Sequence, residues 1–142
     1  METNELASSL RSVISALHKG LRKQVYSAKT FSLTEIETIA QLVRHNTLLP
    51  TELAALTKVK TQSMSQILKK LEAEGIIKRT PSKEDKRKVF ISLTNVGKKL
   101  IEKTINEKDV WLKGLIKKTL SDKEKEMLAK AVPLLNKLIE NN

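Results

Sequence analysis

Thr61, Gln62, Ser63, Ser65, Gln66 and Lys69 are the side chains whose types and spacing first suggest chemistry. They fall in KTQSMSQILKKLEAE (60–74), where Met64, Ile67, Leu68 and Leu71 recur at helical spacing and predict one apolar stripe. The polar set occupies the remaining arc, and no acid occurs between Glu52 and Glu72. A helix that packs by one face and offers small hydrogen-bonding groups by the other suits a DNA major groove. Gln pairs bidentately with adenine, Ser and Thr take varied base edges, and Lys serves guanine or phosphate. Alone, the stretch reads more readily as an ordinary solvated amphipathic helix.

The next two dozen residues decide between the two. Gly75 is placed to stop the helix. IIKRT (76–80) then reads as a strand, PSKEDKRK (81–88) as a polar loop, and VFISL (89–93) as a second strand with Val89, Ile91 and Leu93 on one face. Helix, two-stranded hairpin and basic tip together make a winged helix. Lys78, Arg79, Lys83, Lys86, Arg87 and Lys88 gather on the hairpin, against only Glu84 and Asp85.

The segment GIIKRTPSKEDKRKVFISLTNVG (75–97) resembles the wing signature of the MarR family of bacterial transcription regulators. That signature is a glycine, a strand ending in arginine, a D-x-R turn, a strand, and L-T-x-x-G opening a long helix. Here it reads as Gly75, Arg79, Asp85-Lys86-Arg87 and Leu93-Thr94-Asn95-Val96-Gly97. The sequence departs at Lys60, where family members often carry a capping Asp or Ser; Thr61 is the alternative cap. The resemblance implies a helix 60–74 in the major groove and Arg87 in the adjacent minor groove. It also implies a homodimer of interlocked terminal helices and a small, often phenolic or carboxylate effector.

Composition agrees with a nucleic-acid partner. The 142 residues suit one domain, and the net charge of +11 calls for DNA, an anionic membrane or an acidic protein. No cysteine is present, which excludes disulfides and thiol chemistry. METNELASSL has no basic stretch followed by an apolar run, and nothing approaches about 18 consecutive apolar residues. A soluble cytoplasmic protein is expected. With Trp111, Tyr26, Phe31 and Phe90 as the only aromatics, single-strand recognition by stacking is disfavoured.

Periodicity and caps give the remaining elements. Residues 4–28 read as a helix with Leu6, Leu10, Val13, Ile14, Leu17, Leu21 and Val25 in phase, weakened locally by Gly20. Its cations Arg11, Lys19, Arg22, Lys23 and Lys29 have no acid among them. Ser32 and Glu35 fit a capping box for a second helix ending near Asn46. A short third helix starts with Pro50, and Thr57-Lys58-Val59 turns into the recognition helix without the usual glycine. Thr94 caps a long helix to about Thr119; Ser121 and Glu124 box the last, to about Glu140, which Pro133 should kink.

The fold class expected is therefore mainly α with a small β-hairpin wing. Residues 32–93 form the DNA-binding lobe of one domain, 1–142, and 1–31 with 94–142 form dimerisation helices. Stripe 6–25 and band 127–139 hold more apolar surface than one subunit plausibly covers. Two recognition helices about 34 Å apart would then read successive turns of a pseudo-palindrome.

Phosphate contacts are expected from Arg79, Lys83, Lys86 and Lys88. An anionic or phenolic effector would meet His18, Arg22 and Tyr26, since no acid occurs from Leu6 to Thr34. His18 and His45 lack ligand spacing, so no metal or cofactor is expected, and Asp85 suits pairing with a wing cation better than acid catalysis. A ribosome- or RNA-associated winged helix and a protein-docking module are the competing classes. A helix cannot read the deep major groove of A-form RNA, and the acid-free face disfavours docking.

Overall fold

The computed structural model describes residues 1–28 and 30–142; Lys29, one of the cations assigned to the first helix by its sequence, lies outside the described residues. The chain runs α1 (Thr3–Lys23), α2 (Leu33–His45), β1 (Thr47–Leu48), α3 (Pro50–Thr57), α4 (Thr61–Ala73), β2 (Ile77–Pro81), β3 (Val89–Leu93), α5 (Asn95–Thr119) and α6 (Asp122–Glu140). It is mainly helical with a small antiparallel sheet, the winged helix-turn-helix class expected.

Local chemistry sets most of these boundaries. Ser32 Oγ accepts from the Glu35 N–H and Glu35 Oε1 accepts from the Ser32 N–H, both at 3.2 Å, closing the first capping box. Ser121 and Glu124 do the same for α6. Gly75, at φ 76°, ends α4 in a Schellman arrangement: its N–H donates to Glu72, and the Ile76 N–H to Leu71. In the helix-turn-helix, Lys58 takes the left-handed conformation that glycine usually fills, at φ 57°. Helix α6 continues through Pro133, which has no N–H to donate.

Three expectations need correction. Helix α1 stops at Lys23, not near residue 28, because Val25-Tyr26-Ser27 are poor helix formers and the chain turns there, with Ala28 buried. The sheet has three strands, in the order β1-β3-β2: Thr47 pairs with Ser92 and Leu48 with Ile91 on the far side of β3 from the wing. Two residues are too few to show an alternating pattern. Finally, Thr61 does not cap α4. Lys60 stands at the N-cap, and no side chain caps the helix there.

The chain divides into two compact units, Val25–Ile105 and a second made of Met1–Gln24 with Asn106–Asn142. In the winged unit, Ile39, Leu42, Leu53, Met64, Leu68, Leu71 and Ile91 are almost wholly buried, and Phe31, Val59 and Ile67 pack around them. The apolar stripe of α4 thus fixes which of its faces points outward. In the terminal-helix unit, α1 and α6 contain no buried residue. Gly20 has a local reason to be glycine, since a Cβ there would lie 2.7 Å from the Trp111 ring.

Two contacts hold α4 and the wing in place. The Thr94 hydroxyl donates to the Gly75 carbonyl and accepts from the Gly97 N–H at 3.0 Å, while the Thr94 N–H donates to the Ile76 carbonyl at 3.0 Å. Gly97 is buried against that same carbonyl, and a Cβ would stand 2.3 Å from its oxygen. The L-T-x-x-G signature is thus a clasp that joins the end of α4 to the start of α5. Separately, Lys70 Nζ reaches both oxygens of Glu35 at 2.8 Å and lies 5.5 Å from the centre of the Phe31 ring. Glu35 is only 7% exposed. Burial pushes its carboxyl up, but the bonds from Lys70 and Ser32 outweigh that and hold it below its ordinary value.

Substitutions at both contacts have defined outcomes. Gly97→Ala forces the clasp apart and should lower unfolding free energy by about 1–3 kcal/mol, read from denaturant titration. Glu35→Gln should cost about 1.5 kcal/mol or more near neutral pH. A carboxyl with a lowered folded pKa stabilises above its unfolded pKa and loses that contribution as pH falls through the folded one. The gap between unmodified protein and Glu35→Gln should therefore close as pH drops below the ordinary Glu range, and a gap that persists in acid would refute the ion-pair account.

Candidate nucleic-acid interface

The packing of α4 settles what it presents. With Met64, Leu68 and Leu71 buried and Ile67 half-buried, Thr61, Gln62, Ser63, Ser65, Gln66 and Lys69 are all exposed. Gln62, Gln66 and Lys69 follow one another at i, i+4 and i+7, along the centre of the outward face. Thr61 and Ser65 lie on one side of that line and Ser63 on the other. No acid occupies the first turn, so the positive end of the helix dipole is left unopposed.

The hairpin supplies the rest. Ile77 pairs with Leu93 and Arg79 with Ile91, and the ladder closes at Pro81 opposite Val89. At the tip, Ser82 Oγ accepts from the N–H groups of Glu84 and Asp85, and the Lys88 N–H donates to the Asp85 carbonyl at 2.9 Å. Asp85 Oδ1 accepts from both the backbone N–H and Nε of Arg87 at 3.1 Å, with Arg87 Nη2 donating to Oδ2 at 3.4 Å. These bonds, side chain then backbone, hold the Asp85 carboxyl below its usual range. Asp85 therefore pairs with a wing cation, as its place two residues before Arg87 implies. The Arg87 side chain is still 91% exposed: the guanidinium is aimed outward and restrained at its base.

Not every cation of this surface is uncommitted. Arg79 Nε donates to Glu72 Oε1 at 3.1 Å, a pairing of α4 with β2 that has no signal in the sequence. Lys83, Lys86 and Lys88 are exposed on the wing, and none has an ion-pair partner among the described residues. The winged unit carries 15 of the 27 cations and 8 of the 16 acids, so the larger part of the net positive charge lies there. His18 and Arg22 are exposed on α1 in the terminal-helix unit, and Tyr26 is exposed in the winged unit.

Such a surface, a polar helix face beside a basic hairpin, can match base edges in a groove and phosphates around it. A sequence model of the MarR family matches residues 30–88, which covers α2 to the wing tip. The chain is 26% identical over 137 residues to an uncharacterised HTH-type transcriptional regulator of Mycobacterium bovis, covering 96% of this chain and 94% of that protein. Its fold is similar to a transcriptional regulator from Thermotoga maritima, at TM-score 0.85 and 22% identity, over 98% of this chain and 97% of the other. It is also similar to a mutant of MepR from S. aureus bound to an oligodeoxyribonucleotide, at TM-score 0.70 and 26% identity, covering 93% and 97%.

Proposed function

Because the chain is a MarR-family transcriptional regulator, with a winged-helix DNA-binding fold and not an enzyme, we propose that it represses transcription as a homodimer. The target is duplex DNA carrying a pseudo-palindromic operator, occluded when two copies bind. The observation that carries this reading is the exposed polar face of α4, acid-free from Thr61 to Leu71, beside the basic wing. Gln62 and Gln66 read bases, with Thr61, Ser63, Ser65 and Lys69 around them. Lys83, Lys86 and Lys88 neutralise phosphates, and Arg79 contributes while paired to Glu72. Arg87 enters the minor groove, its guanidinium restrained by Asp85.

Dimerisation rests on the terminal-helix unit. Leu6, Val13, Ile14 and Leu17 on α1, and Met127, Leu134, Leu138 and Ile139 on α6, are each more than two-fifths exposed. Apolar surface on that scale favours burial against a partner, and a second copy fits the two-fold spacing of half-sites. The effector belongs to the same proposal. A small anionic or phenolic molecule acts by differential affinity for DNA-competent and incompetent forms, and His18, Arg22 and Tyr26 are the side chains to vary first. No helix among the described residues is long and apolar enough to cross a membrane; a cytoplasmic location is part of the proposal.

Two experiments test the reading. Sedimentation of the unmodified protein at micromolar concentration should give a dimer. Leu138→Asp, which would bury an unpaired charge, should shift it to monomer; a stable monomer from unmodified protein defeats the claim. For DNA, the probe is a duplex enriched from a random pool by the unmodified protein, compared with its scrambled counterpart at several salt concentrations. Gln66→Ala should lose about 1–3 kcal/mol on the enriched duplex with its salt slope intact. Lys83→Ala should weaken both duplexes and lower the slope by about 0.9. Arg87→Ala should weaken the enriched duplex strongly and relax any preference for A·T pairs at its flanks. If it behaves as Lys83→Ala does, the wing is an electrostatic anchor only.

A further inference from the structure

Lys70 and Glu72 stand two residues apart on α4, hence about 160° apart around the helix. Neither lies on the central line of Gln62, Gln66 and Lys69. Lys70 turns toward α2 and reaches Glu35 in a two-oxygen bond at 2.8 Å to each oxygen. Glu72 turns toward the wing and accepts from Arg79 at 3.1 Å. One flank of the helix is therefore tied to α2, and the other to β2.

We infer that Lys70 and Glu72 are positioning residues whose ion pairs with Glu35 and Arg79 brace α4 from both sides and set its rotation about its own axis. The inference rests on the proposed DNA-reading function. Apolar packing fixes which face of a helix is buried, yet a flexible side chain such as Met64 tolerates small rolls. Bidentate base contacts do not, because both hydrogen bonds of a Gln–adenine pair need their geometry at once. A roll that swings Gln66 away from a base edge loses the contact without unfolding anything. The two ties resist rolls in opposite senses. The Glu35 end is itself fixed by its capping bonds to Ser32, and the Arg79 end by the β2–β3 ladder.

Lys70 and its neighbour Lys69 then differ in role. Lys69 is a direct DNA contact; Lys70 acts through α2 and adds no phosphate neutralisation. Glu72 gives the sharper case, because removing an acid from a DNA-binding face should strengthen binding on charge alone. If it also positions the helix, selectivity falls while non-specific affinity rises.

The test uses full-length protein, the enriched duplex and its scrambled counterpart, titrated at several salt concentrations at a temperature where each variant is folded by circular dichroism. Lys70→Met should lose about tenfold of its preference for the enriched duplex, with the salt slope unchanged, and Lys70→Arg should restore that preference. A slope lowered by about 0.9 on both duplexes would make Lys70 a phosphate contact instead and overturn the inference. Glu72→Gln, at an exposed position where folding is not at stake, should bind scrambled DNA more tightly while its preference falls. Equal gains on both duplexes would overturn the wing-side brace. Should the unmodified protein enrich no sequence at all, the DNA-reading function fails. If it enriches one and both variants keep full preference, only the bracing fails.

Discussion

One backbone oxygen, the Ile76 carbonyl, sits where the winged unit comes together. It accepts the Thr94 N–H, lies 3.1 Å from the Thr94 hydroxyl, and leaves no room for a side chain at Gly97. On one side of it, the left-handed Gly75 ends α4; on the other, Ile77 opens β2 opposite Leu93. Four elements therefore meet within a few residues of one hydrogen-bonding cluster. The reach of the wing relative to α4 depends on it, because β2 leaves the helix and β3 returns to α5 at the same point. A register slip of one residue would exchange the buried and exposed faces of β3 and expose Ile91.

Ion pairs act on this frame in two distinct ways. Lys70 and Arg79 direct their charge to partners on neighbouring elements, Glu35 on α2 and Glu72 on α4. Arg87 is paired too, but its partner Asp85 is two residues away on the same tip, so the pair moves with the wing and still faces outward. Exposed pairs of this kind add little stability. Their effect is conformational: a long side chain with many rotamers is narrowed to a few, which would lower the entropy lost in the proposed contact with DNA. Lys83, Lys86 and Lys88, without such partners among the described residues, keep their freedom and suit contacts with phosphate, which demand charge more than direction.

The features legible in the sequence are local or periodic. The stripe of Met64, Ile67, Leu68 and Leu71, the capping boxes at Ser32 and Ser121, and the glycine after α4 each declare themselves within a few residues. The wing is legible because its turn, strands and L-T-x-x-G run occupy one continuous segment. Long-range pairings are not. Glu35 and Lys70 are 35 residues apart, and a capping glutamate gives no sign that its carboxylate has a second partner. Strand β1 exists because β3 offers an edge, not because Thr47 and Leu48 show a pattern. The end of α1 is hidden for the opposite reason, since Val25 continues the apolar phase after the backbone has left the helix. Lys58 conceals the turn of the helix-turn-helix by adopting a glycine conformation at a cost of about 1–2 kcal/mol.

The two units also differ in how they meet the need to bury apolar surface. Every buried hydrophobic side chain among the described residues, from Ala28 to Leu93, belongs to the winged unit. The other unit has helices of 21 and 19 residues, α1 and α6, with apolar stripes and no buried position. In proteins most helical stability comes from packing an apolar face against other surface, not from propensity. In the proposed homodimer, the exposed apolar surface of these helices meets a partner surface of like chemistry. A second copy supplies one whose concentration always matches its own. Folding of the terminal helices and assembly would then be a single event, and a DNA reader whose half-sites come in pairs would be complete only when both have happened.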